Sequence, residues 1–389
     1  MAAHLHPNSA AAGGRLPVVA VDARYGLRAI RRGIGEYVYR LMEALAPLPK
    51  PYQLVLFGDG SADPGVVRYF RQWYPVHILR APNFLLWEQL VWPRALRALP
   101  GLALVHGTAN IGPWGRWPLV LTVHDVIEWH RGRDFPGHLT LRHRLSRTYR
   151  MGTLAVQARR ARLVLTVSQH ARTDIGRVLR VPERRIRVAP LGSKWADGGL
   201  GWAGDRESRP YLLALGAVDP RKNLEGLLRA AAAVRVPDFR LEVVGVEPGG
   251  LTAVRTRVAA LGLEKRVAVE GMVKDAVLRE RVRRARGFVY PSYYEGFGLP
   301  VLDAMILGVP VVASRTTAVG ELGGSAVLGF NPADPEEMAR ALTRLWEDAA
   351  LRAALSAAGR ARAQTFSWAR TAAATHAAYL EVLGLVAGP

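Results

Sequence analysis

No cysteine occurs among the 389 residues. Disulfides and thiolate metal sites are thereby excluded, and the composition fits a reducing, cytoplasmic compartment. No apolar run approaches the ~20 residues that a spanning helix requires, so the sequence offers no transmembrane segment. Residues 1–16, rich in Ala, Gly and His, lack the apolar stretch of a signal peptide and are expected to form a disordered arm. Acids are scarce: 32 Asp and Glu stand against 53 Lys and Arg, for a formal charge of +21. Lysine is scarcer still, limited to Lys50, Lys194, Lys222, Lys265 and Lys274, so nearly all of the positive charge is arginine. Such a field attracts polyanions: nucleic acid, an anionic membrane surface or phosphorylated small molecules.

What is present is apolar residue in abundance, half of the chain, arranged in short strand-like runs. A chain of this length exceeds one ordinary core, so two domains are expected. In the first, residues 17–195, strands are expected at 17–22, 54–57, 76–79, 102–106, 119–124, 163–168 and 186–190. A helix is predicted over Tyr37–Leu45, and a basic, helical region over Arg131–Arg162 whose Leu141, Leu145 and Tyr149 share a face. That region reads either as a solvated helix packed through its apolar face or as a surface for anionic lipid. Residues 196–210, Gly-rich and without periodicity, read as a linker. The second domain, residues 211–367, has strands expected at 211–216, 241–245, 267–271, 286–290, 309–313 and 326–330. A final helix is expected over 368–389, with Trp368, Ala372, Tyr379 and Val382 at helical spacing.

Two stretches carry chemistry. Tyr290–Ser314 reads as strand, Gly-rich loop, helix and strand, with Gly296 and Gly298 in the loop, Pro300 at the helix start and Gly308 at its end. The helix aims free amides and its positive dipole end back at the loop. Glu295 and Asp303 bracket that pocket, eight positions apart. Upstream, Gly216 ends a strand, and Arg221, Lys222 and Asn223 follow directly before a helix, two cations suited to a diphosphate. In the first domain, Gly33-Ile34-Gly35 and the strand-terminal pair His124-Asp125 occupy places where α/β sheets put ligands.

These segments resemble the retaining glycosyltransferases of family 4. The resemblance is carried by Pro-Ser-x-Tyr-Glu-Gly-Phe-Gly-Leu-Pro-x-Leu, by Ala-Met-x-x-Gly-Val-Pro-Val-Val-Ala-Ser and by Gly-x-x-x-x-Arg-Lys-Asn. It implies the GT-B fold: two Rossmann-like α/β domains facing each other across a cleft, with the last helix crossing back onto the first domain. It further implies transfer of a hexose, with mannose the leading candidate, from a nucleoside diphosphate sugar. The donor would be GDP-mannose or a UDP-sugar, and the acceptor a glycan, a lipid-linked sugar or a small molecule.

By the same resemblance Glu295 holds sugar hydroxyls, Asp303 the ribose hydroxyls, and Arg221 and Lys222 the diphosphate. The amides of Gly296, Phe297 and Gly298, with Leu299 and Gly216, line the donor site. Gly33 and Gly35 permit close approach from the first domain, and His124 meets the transferred sugar. No metal is called for, and no residue is assigned as a covalent nucleophile. Two departures stand out: Asp303 is a methylene shorter than the family's usual Glu, and Glu36 occupies a place where a basic residue is usual. A cytoplasmic protein is implied, with peripheral contact at the inner membrane face open to the basic region. A nucleotide-sugar epimerase of the same architecture and a nucleic-acid-binding protein are the alternatives. The second predicts basic residues interleaved with aromatic stacking platforms, a motif the chain lacks.

Overall fold

The computed structural model describes residues 15–132, 135, 141–196, 201–203 and 209–385, for 141–146 the backbone alone. The expected N-terminal arm, much of the linker and the start of the basic region therefore lie outside the described residues. Among the described residues thirteen strands form two sheets. The first holds β1 (Val18–Asp22), β2 (Gln53–Asp59), β3 (Val76–Leu79), β4 (Leu102–Gly107), β5 (Leu119–Thr122), β6 (Leu163–Thr166) and β7 (Ile186–Val188), in the order β3-β2-β1-β4-β5-β6-β7. The second holds β8 (Leu212–Leu215), β9 (Leu241–Val246), β10 (Val267–Gly271), β11 (Gly287–Tyr290), β12 (Val311–Ser314) and β13 (Leu328–Phe330), ordered β10-β9-β8-β11-β12-β13.

All pairings are parallel. Parallel strands covered on both faces need apolar residues throughout, which is why they read as continuous Val/Leu runs. In each sheet the strand order reverses beside the first strand, between β1 and β4 and between β8 and β11. Ligands of open α/β sheets sit outside the strand ends at such a reversal. The two sheets thus present two binding edges, and the candidate residues lie at both.

The helix Trp368–Leu383 returns to the first domain. Tyr379, fully buried, hydrogen-bonds His106 Nδ1 at 2.5 Å, and His106 Nε2 reaches Thr122 Oγ1 at 2.8 Å. His376 Nδ1 meets the Tyr52 hydroxyl at 2.6 Å, and the Thr371 hydroxyl donates to the Pro190 carbonyl at 2.5 Å. One apolar cluster consequently runs from Val19, Leu41 and Tyr52 through Ala372 and Tyr379 to Val301 and Leu302 of the second domain.

Several element boundaries differ from those expected. The first long helix begins at Ile34, not Tyr37, because Gly33 takes φ +46° and turns the chain directly into it; Gly35 thus lies within its first turn. The strand expected to run to His124 ends at Thr122. The basic helix spans Leu141–Arg160, and its described Arg147 and Arg150 pair with Glu128, which neutralises part of that surface. The described ends of the expected linker are packed against the second domain. Trp202 donates from Nε1 to the Ala285 carbonyl at 2.8 Å, and Trp195, just before the linker, from Nε1 to Asp275 at 3.0 Å.

Candidate active site

Strand β11 delivers Tyr290 to the sheet edge, and the chain then turns through Pro291–Gly298 into the helix Leu299–Ile306. Gly298 caps that helix at φ +105°, a conformation in which a side chain is strained. Pro300 fills the first turn, where a missing N–H costs nothing. On the neighbouring strand, β8 ends before Gly216, and the chain forms a single 3₁₀ turn, Pro220–Lys222. Arg221 and Lys222 thus precede the helix Leu224–Ala233 rather than occupying its first turn. Asn223 caps that helix at φ +55°, and its amide nitrogen donates to the carbonyls of Pro291 (3.1 Å) and Pro332 (2.7 Å). A short polar side chain is the type that tolerates this left-handed geometry. The Asn223 amide therefore ties the cation turn to the Tyr290–Gly298 loop, as does the Tyr293 N–H bond to the Arg221 carbonyl at 2.9 Å.

The side chains converge on Glu295. Arg221 Nη1 donates to its Oε2 and Lys222 Nζ to its Oε1, each at 2.7 Å. The Tyr290 hydroxyl donates to Oε1 at 2.9 Å and accepts from Lys222 Nζ at 2.7 Å. Burial alone would raise the Glu295 carboxyl; Lys222 and Arg221 outweigh it and hold the group down at about 2. Lys222, whose burial works the other way, is raised by the same pairing, as is Arg221. Asp219 supports the turn, accepting from the Arg221 N–H at 3.1 Å, and stands 3.6 Å from Arg131 of the first domain.

The first domain closes over this cluster. A Cβ at Gly296 would overlap the His124 carbonyl oxygen, so glycine is required for the contact. Ser168 Oγ donates to the Gly296 carbonyl at 2.7 Å. The Tyr294 hydroxyl donates to Asp174 Oδ2 at 2.6 Å, an atom that His130 Nε2 also reaches at 2.6 Å, with the two rings stacked at 4.5 Å. Asp125, beside His124, is half-buried; desolvation raises its carboxyl, while the Ile127 N–H and Arg221 pull it back. His124 is 8 % exposed, and burial lowers its imidazole to about 4, so it is neutral at pH 7. Its Nε2 lies 2.9 Å from the Thr108 carbonyl, an acceptor, so Nε2 bears the hydrogen. The other nitrogen, Nδ1, is then the acceptor.

The remaining expected residues are placed as follows. Asp303 is buried on the helix Leu299–Ile306, and its Oδ1 accepts from Ser193 Oγ (2.6 Å) and the Lys194 N–H (3.2 Å). Its partners are thus at the end of the first domain, not at the cation clamp. Burial raises its carboxyl to about 6, against the pull of Lys194 and Ser193. The Phe297 ring turns into the apolar core against Phe366, leaving only its backbone for the loop. Gly216 abuts Val243 and Val246, where a Cβ would not fit. Tyr290, Asp219, Tyr294 and Asp174 were not singled out from sequence. Tyr290 was read only as the end of a strand, and the contact between Tyr294 and Asp174 spans 120 residues.

Two family profiles match the chain: "Glycosyltransferase Family 4" over residues 31–193 and "Glycosyl transferases group 1" over residues 203–362. The MMP alpha-(1->4)-mannosyltransferase of Mycolicibacterium hassiacum is 34% identical over 315 residues, 76% of this chain and 75% of that protein. The chain belongs to the group 1, family 4 glycosyltransferases. The O-antigen chain mannosyltransferase B of Escherichia coli is also 34% identical, over 242 residues that make up 56% of this chain and 60% of that protein. The match thus spans less than two thirds of that relative's length. Among solved structures, sucrose-phosphate synthase from Thermosynechococcus elongatus superposes with a TM-score of 0.72 at 20% identity, covering 95% of this chain and all of the other. The two-domain GT-B fold is thereby established. The helix Trp368–Leu383 makes the crossover that this fold requires.

Proposed function

We propose that the protein transfers a hexosyl residue, mannose foremost, from a nucleoside diphosphate sugar to a glycan, lipid-linked or small-molecule acceptor, with retention at the anomeric carbon. The observation that carries this reading is the convergence of Arg221 and Lys222 on one carboxylate at the cleft edge. Two half-buried cations 2.7 Å from a glutamate mark a place where a second anion is equally welcome. The diphosphate takes that place, and its charge grows as the bond to the sugar breaks, so the clamp binds the transition state more tightly than the ground state. Glu295, released from the cations, accepts from hydroxyls of the sugar. His124 presents Nδ1 to another sugar hydroxyl from the opposite wall. The Gly296–Leu299 backbone, at the start of the helix Leu299–Ile306, orients the sugar.

Asp303 is assigned to the ribose, which requires it to exchange Ser193 for a ribose hydroxyl. GDP-mannose is the favoured donor because both relatives named above are mannosyltransferases; UDP-sugars remain in the test. Peripheral contact with an anionic membrane belongs to the same reading and is supported by the +21 charge. Salt-sensitive sedimentation with anionic vesicles tests it.

The transfer itself is tested with a panel of nucleotide sugars screened for thermal stabilisation and then for turnover. A donor at 100 times its Kd adds about 2.7 kcal/mol of stability. Stabilisation by GDP-mannose or one UDP-sugar, lost in Lys222→Ala, is expected. No stabilisation by any nucleotide sugar overturns the reading.

A further inference from the structure

The loop between β4 and β5 carries the sequence Pro113-Trp114-Gly115-Arg116-Trp117-Pro118 and walls a cavity of about 240 Å³ with the end of the helix Leu141–Arg160. Its lining includes Trp114, Trp117, Arg116, Arg160 and Arg162 and, among the described residues, no carboxylate. Among the described residues none of these three arginines has an acidic partner within ion-pair distance, although Arg131, Arg147 and Arg150 on the same domain are paired. The cavity lies beside Leu119, at the start of β5, whereas His124 lies beyond its end. At about 3.3 Å per residue the two are roughly 16 Å apart. This is a place separate from the transfer cleft.

The loop is built to hold a shape. Gln157, 2 % exposed, donates to the Gly112 carbonyl at 2.6 Å and accepts from the Gly112 N–H at 2.7 Å. The Trp117 ring lies so close over Gly115 that no Cβ fits there. Two prolines restrict the ends. Arg160 donates to the Gly115 carbonyl at 3.2 Å and sits 5.5 Å from the centre of the Trp114 ring. Trp114 itself is 37 % exposed, costly for an indole.

We propose that this cavity is a second ligand site, for an anionic saccharide. Trp114 offers a flat apolar face to the C–H side of a sugar ring. Arg160, beside the same indole, and Arg116 and Arg162 present guanidinium forks to a phosphate or carboxylate on an adjoining carbon. A cavity of this volume has room for several waters, hence for one compact sugar anion, and its concave, pre-shaped wall distinguishes it from a membrane-facing surface. An acceptor glycan with such groups would touch the protein at two points; that consequence rests on the glycosyl-transfer reading, whereas the binding itself does not.

Calorimetry on the full chain tests the site, with the cleft first saturated by a nucleoside diphosphate. Hexose 6-phosphate or glucuronate is expected to bind once per chain; binding of either supports the site. The unsubstituted hexose and inorganic phosphate are each expected to bind at least 10-fold more weakly. Trp114→Ala, and separately the exposed pair Arg116→Ser with Arg160→Ser, should weaken the anionic sugar at least 10-fold while the melting temperature and the nucleoside diphosphate affinity hold. Absence of binding by both anionic sugars overturns the proposal. So does equal affinity for inorganic phosphate, or insensitivity to both sets of substitutions. Anionic phospholipid vesicles that bind through these arginines when the sugars do not would assign the cavity to a lipid headgroup instead.

Discussion

Glu295→Gln separates the clamp's two occupants. Glu295 neutralises Arg221 and Lys222, and on the proposed reading a diphosphate displaces it. The depression of its carboxyl from 4.5 to about 2 corresponds to about 3 kcal/mol of net stabilisation of the charged form, burial already deducted. Glutamine retains the shape and one acceptor but none of the charge. If roughly half of that interaction is given up when a diphosphate enters, removing it should tighten nucleoside diphosphate binding by roughly 1–2 kcal/mol, on the order of 10-fold. The same variant should be less stable without ligand, since two cations lose their counter-charge. It should also transfer sugar poorly, because a neutral amide accepts more weakly from donor hydroxyls. Titration calorimetry with the nucleoside diphosphate, paired with a single-turnover transfer assay, reads both effects. An unchanged or weakened diphosphate affinity would refute the competition between carboxylate and diphosphate, whatever happened to turnover.

Lys222→Ala removes a charge-assisted hydrogen bond worth roughly 1.5–3 kcal/mol. Calorimetry should show nucleoside diphosphate weakened about 10- to 100-fold and the uncharged nucleoside unaffected. Asp303, raised to about 6 in the folded chain from 3.8, takes up protons more readily folded than unfolded. Stability contributed by this group is therefore present below about pH 4 and lost as pH rises through 6. Asp303→Asn should raise the melting temperature at pH 7.5 and flatten its slope between pH 4 and 6. It should weaken ribonucleotides more than 2′,3′-dideoxynucleotides if the ribose assignment holds. Glu295 has the opposite sign: its stabilisation is present above about pH 4.5 and lost as pH falls through 2. Tyr294→Phe deletes the 2.6 Å bond to Asp174 and should cost about 1–3 kcal/mol in denaturant unfolding.

All thirteen strands were legible in the sequence, because burial on both faces leaves uninterrupted runs such as Leu163–Thr166 and Val311–Ser314. Several helices were not. Asp275–Arg284 buries only Val282, and with Arg279, Arg281, Arg283 and Arg284 around it the pair Leu278 and Val282 is too short a stripe to mark it. Gln169–Leu179 follows a strand directly and announces itself only by its cap, Ser168, whose hydroxyl accepts from the Ala171 N–H. At the site, the residue types around Glu295 and Arg221–Asn223 were readable as motifs. Their union was not: Lys222 and Glu295 lie 73 positions apart, and nothing local in either segment says that the carboxylate rests on the clamp. Asp303 shows the same limit. Its spacing from Glu295 is plain in the chain, but its bond to Ser193 depends on how one domain meets the other.

That meeting is concentrated on a few residues, and this ties assembly of the site to closure of the cleft. Ser168 bonds the Gly296 carbonyl, Asp174 bonds Tyr294, and Arg131 faces Asp219. Each contact joins the first domain to a residue adjacent to Glu295 or Arg221. Glu321 adds a fourth, accepting from the N–H groups of Gln169 and His170 at the start of the helix Gln169–Leu179. A hydrogen bond contributes about 1 kcal/mol net, and those to charged groups somewhat more. Opening the cleft breaks several at once, and removes the wall that holds His124 against Gly296. The contacts of the first domain hold Tyr294 and Gly296 on either side of Glu295. Because Tyr294 and Gly296 flank Glu295, Ser168→Ala should loosen that carboxylate without touching any ligand. Its signature would be a lowered kcat with the nucleoside diphosphate affinity intact, since Asp219 and Asn223 hold the Arg221–Lys222 turn without Ser168. A proportional loss in both would place Ser168 in the general stability of the domain interface instead.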